Sequence, residues 1–272
     1  MWRNRYYSES LAKMRECVDV MNRERVAFLV ELGDLKDQDE TPVEANTLRY
    51  LQETDSELRR FAGPVHYVLG NHDMDSLSKE QFLNTVGRGE NGPQVAAAWH
   101  PPEPGGRTRD ARGRGPARAA HYSFDHSGCH FVVLDANFRT DGTPYDHGNF
   151  DYTDTFVPRP QLDWLASDLA ANRDTCAIVF CHQRLDGEGT YFVNNAKEVR
   201  EVLGRGNVRA VFHGHDHHGG YSKIDGVHYH TLRAMVEGSG EESSSYAVVD
   251  VGHDSVIVTG YRRAASRRLP LA

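Results

Sequence analysis

Four short apolar runs in this 272-residue chain each stop at residues that can hold a metal ion or a proton, and this recurrence limits the fold more than any single motif does. Val26 to Leu32 runs into Gly33-Asp34-Leu35-Lys36-Asp37, and Val65 to Leu69 into Gly70-Asn71-His72-Asp73. Ala177 to Cys181 runs into His182, and Val208 to Phe212 into His213-Gly214-His215-Asp216-His217-His218. The length and the Val, Ile and Phe content of such runs read as buried strands. In sheets built from βα units, ligands gather outside the carboxyl ends of the strands, so the four runs deliver carboxylate, amide and imidazole to one rim. Four of the 15 histidines fall between residues 213 and 218, too tight a cluster for chance surface composition.

Further runs, His130 to Leu134, Tyr246 to Val251 and Ser255 to Tyr261, also read as strands. Between the strands, Leu11, Met14, Val18 and Met21 recur at helical steps within Ser8 to Glu24, with Arg and Glu on the other face. Pro160 to Ala171 and Ala196 to Leu203 show similar spacing. Strands alternating with helices and followed by a strand-rich end predict an α/β layered domain over residues 1–272. The segment Pro101 to Ala120 departs from this pattern. It holds five Arg against Glu103 and Asp110, with Pro and Gly throughout, and reads as a flexible insertion.

Charge and cysteine content narrow the classes. Lys and Arg number 31 against 39 Asp and Glu, a net charge of −8, which argues against nucleic acid as a partner held by bulk charge. No apolar run approaches the roughly 20 residues of a membrane span and the first residues carry no apolar signal region, so a cytoplasmic protein with no membrane partner is expected. Cys17, Cys129, Cys176 and Cys181 form no Cys-x-x-Cys pair, consistent with a reducing compartment. Cys181 beside His182 is no catalytic pair, because neighbours on a strand point to opposite faces.

A carboxylate, an amide oxygen and imidazoles suit Mn²⁺ best, with Fe or Zn²⁺ as alternatives, over Mg²⁺ or Ca²⁺. An Asp can bridge two ions about 3.5–4 Å apart, the usual device for displacement at phosphorus, so the indicated chemistry is phosphoester hydrolysis. Taken alone, Asp34 or Asn71 reads as a turn residue and His182 as a satisfied rim histidine; the set carries the functional reading. Arg184, two residues after His182, offers a guanidinium to a phosphate, and Tyr191 and Asn194 in the following loop are weaker substrate contacts.

Gly33-Asp34 with Asp37, Gly70-Asn71-His72-Asp73, His182 and Gly214-His215-Asp216-His217 together resemble motifs of the calcineurin-like metallophosphoesterases, in order and over most of the chain. Finer similarity runs to the manganese-dependent ADP-ribose/CDP-alcohol diphosphatases. It rests on Arg5-Tyr6-Tyr7 with Ser10-Leu11, Phe131 to Asp135, Gln161 to Leu165 and His217 to Tyr221. The resemblance implies two stacked mixed β-sheets flanked by helices. It implies that Asp34 bridges two metals, that Asn71, His182 and His215 complete one site, that His217 binds the second metal, and that His72 contacts the phosphate and protonates the leaving oxygen.

The family's first motif, an Asp-x-His closing a first strand ahead of the first helix, has no counterpart here. The chain begins at that helix, and its Asp216-His217-His218 already serves the last motif. One site is therefore complete, the second keeps Asp34 and His217, and the first strand is expected to be missing. Three readings follow: a start set too far downstream, a short protein with one metal and weak activity, or a fold kept for binding without catalysis. The leading expectation is a metal-dependent hydrolase of a phosphodiester or nucleotide-type pyrophosphate; a phosphomonoesterase is the alternative. A sheet edge exposed by a missing strand would invite pairing with a second copy, so a homo-oligomer is also expected.

Overall fold

The helical spacing of Leu11, Met14, Val18 and Met21 becomes helix α1 (Tyr7–Glu24) in the computed structural model, which describes residues 5–86 and 120–271. The helix stops at Arg25, whose left-handed φ of 55° turns the chain toward β1 (Leu29–Glu31). Helix α2 (Glu44–Leu58) and β2 (Val65–Tyr67) follow, then a 3₁₀ turn at His72–Met74 and α3 (Lys79–Thr85), which opens on a Ser78/Gln81 capping box. Beyond the undescribed residues come β3 (Tyr122–His126), β4 (Cys129–Val133), α4 (Arg159–Ala171), β5 (Cys176–Cys181), α5 (Ala196–Leu203) and β6 (Val208–His213). The end is strand-rich: β7 (Gly220–Ile224), β8 (Val227–Thr231), β9 (Ser245–Val251), β10 (Ser255–Arg262) and β11 (Arg267–Pro270). The Arg-rich insertion expected at 101–120 lies, but for Ala120, outside the described residues.

Six strands form a mixed sheet in the order β3-β4-β5-β6-β8-β7, parallel in its centre and antiparallel at both edges. One face buries Leu134, Val179 and Val211 under α4 and α5 through Leu165, Leu169 and Val199. The other face, with Phe131, Phe180 and Phe212, meets Val256, Val258 and Leu269 of β10 and β11 and the segment Phe28, Val30 and Leu32. Outside that second layer, α1, α2 and α3 pack Met14, Val18, Leu51 and Phe82 onto Val65, Tyr67 and Tyr246. The architecture is helix, sheet, sheet, helix, the α/β stack that the alternation of elements implied.

The second sheet layer comes in two pieces. β1 pairs in parallel with β2, and β11-β10-β9 form an antiparallel triplet. β1 is shorter than the expected Val26 to Leu32, because its only ladder among the described residues is the three-residue one to β2. The expected strand at Val65 to Leu69 is likewise paired only over Val65–Tyr67. The remaining expected strands and helices hold to within a residue or so at each end. Both layers present carboxyl ends of parallel strands to the same rim: those of β1 and β2 from one, those of β5 and β6 from the other.

Candidate metal centre

Two glycines let the turns after β1 and β2 touch. A Cβ on Gly70 would collide with the backbone and carboxylate of Asp34, and one on Gly33 would come within 2.5 Å of His182 Nδ1 and 2.6 Å of the Gly70 nitrogen. Gly33 and Asp34 both take left-handed φ angles, 94° and 60°. Asp73, fully buried, ties these turns together by accepting the backbone N–H groups of Asp34 (3.0 Å), Leu35 (3.0 Å) and Gly70 (2.8 Å). Asp34 in turn accepts the His72 N–H through Oδ1 at 2.8 Å. The carboxylate of Asp34 is thus fixed by backbone on both sides, leaving Oδ2 toward the large sheet.

From that sheet, His182 follows β5 and His215 follows β6 by way of Gly214. His182 Nδ1 lies 2.7 Å from the Leu32 carbonyl, which can only accept, so the proton sits on Nδ1 and Nε2 points into the rim. His182 Nε2 is 3.2 Å from Asp34 Oδ2 and 3.2 Å from His215 Nδ1. The ligand atoms of Asp34, His182 and His215 all lie within 4.8 Å of one another. In its neutral form, His182 would aim a lone pair at a carboxylate oxygen, an arrangement that a proton or a metal cation between them relieves. Two more atoms make the same demand. Asn71 Oδ1 and His215 Nε2 are buried without a hydrogen-bond partner, and buried polar atoms without partners are rare in native structures. One amide oxygen, one carboxylate and two imidazoles fit a borderline divalent ion such as Mn²⁺.

The protonation states agree with this. Burial pushes His215 down to about 3, helped by His182, so its imidazole is neutral and able to ligate. Burial would raise the carboxyl of Asp34, but His182, His72 and His215 outweigh it and hold the group well below the usual range. Burial would lower His182, but Asp34 raises it, a proton taking the position between the two groups.

His72 stands next to Asn71 in a different set of contacts. Its Nδ1 sits 2.6 Å from Asp75 Oδ2 and 3.9 Å from Asp37 Oδ1, within a second cluster of Asp37, His72 and Asp75. Burial lowers its pKa, yet Asp34 first, then Asp75 and Asp37, raise it to about 9. Lys36 Nζ holds this turn by donating to the Asp75 carbonyl (2.7 Å) and the His72 carbonyl. These carboxylates favour the protonated ring, and Asp75 tethers it at Nδ1.

His217 stands outside the cluster of Asp34, His182 and His215, with Nδ1 2.7 Å from Glu237 Oε1. Arg184, the expected phosphate contact, is engaged by two carboxylates. Its Nε and Nη2 donate to Asp186 at 3.0 Å each and its Nη1 to Asp216 at 2.7 Å, while the guanidinium stacks over Phe192. The Asp186 side chain is buried, so the pair is an internal brace between the loops after β5 and β6. Tyr191 is exposed with its ring 5.8 Å from that of His215, facing the site. The Asn194 amide is engaged at 3.4 Å with both Thr140 and Asp154, and is set in the wall by its backbone bond to Thr155. Tyr152, whose ring also approaches that of His215 at 6.4 Å, escaped the sequence reading because nothing local marks it. Asp73, Asp75 and Glu237 escaped it too; Asp73 stood in the motif but had no assigned task.

The sequence matches the calcineurin-like phosphoesterase family over residues 7–219. A manganese-dependent ADP-ribose/CDP-alcohol diphosphatase of Oryza sativa subsp. japonica is 24% identical, covering 97% of this chain and 86% of that one. The protein of the same name from Arabidopsis thaliana is 26% identical, covering 96% and 88%. Among solved structures, a dimetal phosphatase from Danio rerio superposes with a TM-score of 0.78 at 22% identity, covering 98% of this chain and 91% of that one.

Proposed function

The chain belongs to the calcineurin-like phosphoesterase family, and from that premise we propose that it hydrolyses the pyrophosphate bond of nucleotide-type diphosphates of the ADP-ribose or CDP-alcohol kind, with Mn²⁺ as its metal. The supporting observation is the convergence of Asp34, His182 and His215 with the unpartnered Oδ1 of Asn71, a set that asks for a cation at the junction of two sheets. A divalent ion held there would polarise a phosphoryl oxygen and make a water acidic enough to attack near neutral pH.

The chain's own residues supply the rest. Asp34 orients its two oxygens in different directions, Oδ1 toward the His72 backbone and Oδ2 toward His182. His72 holds the proton that the departing phosphate oxygen needs, with Asp75 fixing its ring through Nδ1. Water adds to one phosphorus, the bridging P–O bond breaks, and the proton from His72 Nε2 goes to the bridging oxygen. Two phosphomonoesters result.

The test compares Mn²⁺-stimulated turnover of ADP-ribose with that of p-nitrophenyl phosphate. Release of AMP from ADP-ribose, lost in Asp34→Ala and His215→Ala, is the expected result. Faster monoester turnover would make the protein a phosphomonoesterase, and Mn²⁺ binding with neither turnover would leave it a binding module.

A further inference from the structure

Two consecutive residues after β5, His182 and Gln183, connect the six-stranded sheet to the second layer, and the two connections end on equivalent atoms. His182 Nδ1 donates at 2.7 Å to the carbonyl of Leu32, the residue before Gly33-Asp34. Gln183 Nε2 donates at 2.7 Å to Asn137 Oδ1, and Asn137 Nδ2 donates at 2.8 Å to the carbonyl of Leu69, the residue before Gly70-Asn71. Each link thus ends on the leucine carbonyl ahead of a glycine turn, one turn carrying Asp34 and the other Asn71. The first link is made by a candidate metal ligand; the second contains none.

Asp135, Asn137 and Gln183 are all fully buried, and buried amides and carboxylates are costly unless they are hydrogen-bonded. Asp135 is anchored first. Gln161 of α4 accepts its N–H at 2.9 Å and donates to its carbonyl at 2.7 Å, while Lys79 of α3 pairs with its Oδ2. Its Oδ1 then accepts both the backbone N–H and Nδ2 of Asn137, at 3.0 Å each. Two acceptors at Nδ2 fix the Asn137 amide with its oxygen toward Gln183, and that oxygen selects the nitrogen of the Gln183 amide. Gln183 Oε1 is left buried without a partner. A methionine of similar shape would fill the position with no orphan acceptor, so packing does not account for the amide; its bond to Asn137 does.

We propose that Asn137 is a positioning residue for the metal centre: with Gln183 it forms a strut that sets the spacing between Asn71, after β2, and His182, after β5. The site draws on both residues, one from each layer, and partners that orient ligands from behind are worth about 10–100-fold in metal affinity. The strut is a series link, Gln183 to Asn137 to Leu69, so breaking it at both places costs no more than breaking it at Asn137. The proposal rests on the reading of Asp34, Asn71, His182 and His215 as a metal site.

The test titrates Mn²⁺ into the full chain as wild type, Gln183→Met, Asn137→Ala and the double variant. Leu165→Ala, a change in the core beneath α4, controls for lost stability. Gln183→Met is expected to weaken Mn²⁺ binding about tenfold and Asn137→Ala about 10–100-fold, with the double variant within about twofold of Asn137→Ala. Leu165→Ala should lower Tm at least as far as Gln183→Met does, yet leave Mn²⁺ affinity within about twofold of wild type. The electron paramagnetic resonance spectrum of bound Mn²⁺, which reports ligand geometry, should change in Gln183→Met and not in Leu165→Ala. Gln183→Met keeps the bonds of Asn137 to Asp135 and Leu69, so it decides the matter even where Asn137→Ala does not fold. Full Mn²⁺ affinity in Gln183→Met would overturn the proposal, as would equal weakening in Leu165→Ala or additive losses in the double variant. His215→Ala separates this proposal from the reading beneath it. Retained affinity in that variant would remove the metal site and the strut's task with it, whereas lost affinity there beside full affinity in Gln183→Met would remove the strut alone.

Discussion

Asp34 and His217 share one rim but are held in place by different means. On the Asp34 side a buried carboxylate, Asp73, accepts N–H groups from Asp34 itself and from the glycine that touches it. On the His217 side the bracing works at one remove. Buried Lys13 of α1 donates to the carbonyls of Met235, Glu237 and Gly238, and Arg263 to those of Ala234 and Glu237. These bonds fix a loop, and the loop's Glu237 then meets His217 from behind. In the first half the hydrogen bonds reach the backbone of Asp34 itself; in the second they reach only the loop behind His217. Metal affinity should therefore concentrate in the first half.

The largest expected effect is the loss of Mn²⁺ in His215→Ala. Losing an outer partner of a metal ligand costs about 10–100-fold in affinity, so losing a ligand from the rigid half should cost more than about 100-fold. Isothermal titration with Mn²⁺ measures this. A change of less than threefold would mean that the cluster of Asp34, His182 and His215 is not the metal site.

Next comes His72→Asn, expected to lower kcat by about 100- to 1000-fold with Mn²⁺ content unchanged. The pH dependence carries its own sign. His72 is raised from 6.5 to about 9, so its acid form persists through neutrality and is lost as pH rises through the folded value. The wild-type rate should fall on the basic side at or below about 9, since a bound cation near Asp34 weakens the first cause of the shift. That basic limb should be missing in His72→Asn. Loss of metal from the variant would instead make His72 a ligand.

A paired measurement compares the two kinds of brace directly. Asp73→Asn places an amide N–H₂ where the backbone offers only donors, and should weaken Mn²⁺ binding about 10–100-fold. Lys13→Met removes the donor to the Met235 and Gly238 carbonyls, while Arg263 still serves that of Glu237, and should lower Tm, yet change Mn²⁺ affinity by less than about threefold. Equal effects of the two on metal affinity would erase the distinction between the halves.

How much of this was readable in the sequence depends on whether the signal was local. The four strand ends that carry the candidate metal-binding residues were legible because apolar runs stop at them, and the α/β layering followed from their alternation with helices. The hairpin of β7 and β8 was not, since His228, Tyr229 and His230 are buried polar residues that conceal a strand, although Asp225 and Gly226, with φ of 49° and 85°, carry a strong turn signal between them. Nothing in the sequence marked Lys13; its partners lie more than 200 residues away, and no spacing rule reaches them. The bracing of Arg184 was hidden for the same reason: Asp186 is near in sequence, but Asp216 arrives from the loop after β6.

The smallest expected effect is that of His217→Ala on metal binding. Among the described residues, Asp34, His182 and His215 form a three-membered cluster that excludes His217, and its Nδ1 is already engaged by Glu237. Burial lowers its pKa, with Glu237 opposing and Arg5 adding to the fall, so the ring is neutral at pH 7 and presents one free nitrogen. With Asp34 it would offer two protein ligands, fewer than the three or more that usually retain a divalent ion through turnover. Wild-type protein should therefore hold close to one tightly bound Mn²⁺ per chain, and His217→Ala should lower the affinity of that ion by less than about threefold, because it leaves the donors of the first site intact. Plasma mass spectrometry after gel filtration reads the stoichiometry and titration reads the affinity. Two retained ions in the wild type, falling to one in His217→Ala, would show that Glu237 or Asp37 joins His217 in a second complete site, and that the indirect bracing of this half suffices to hold a metal.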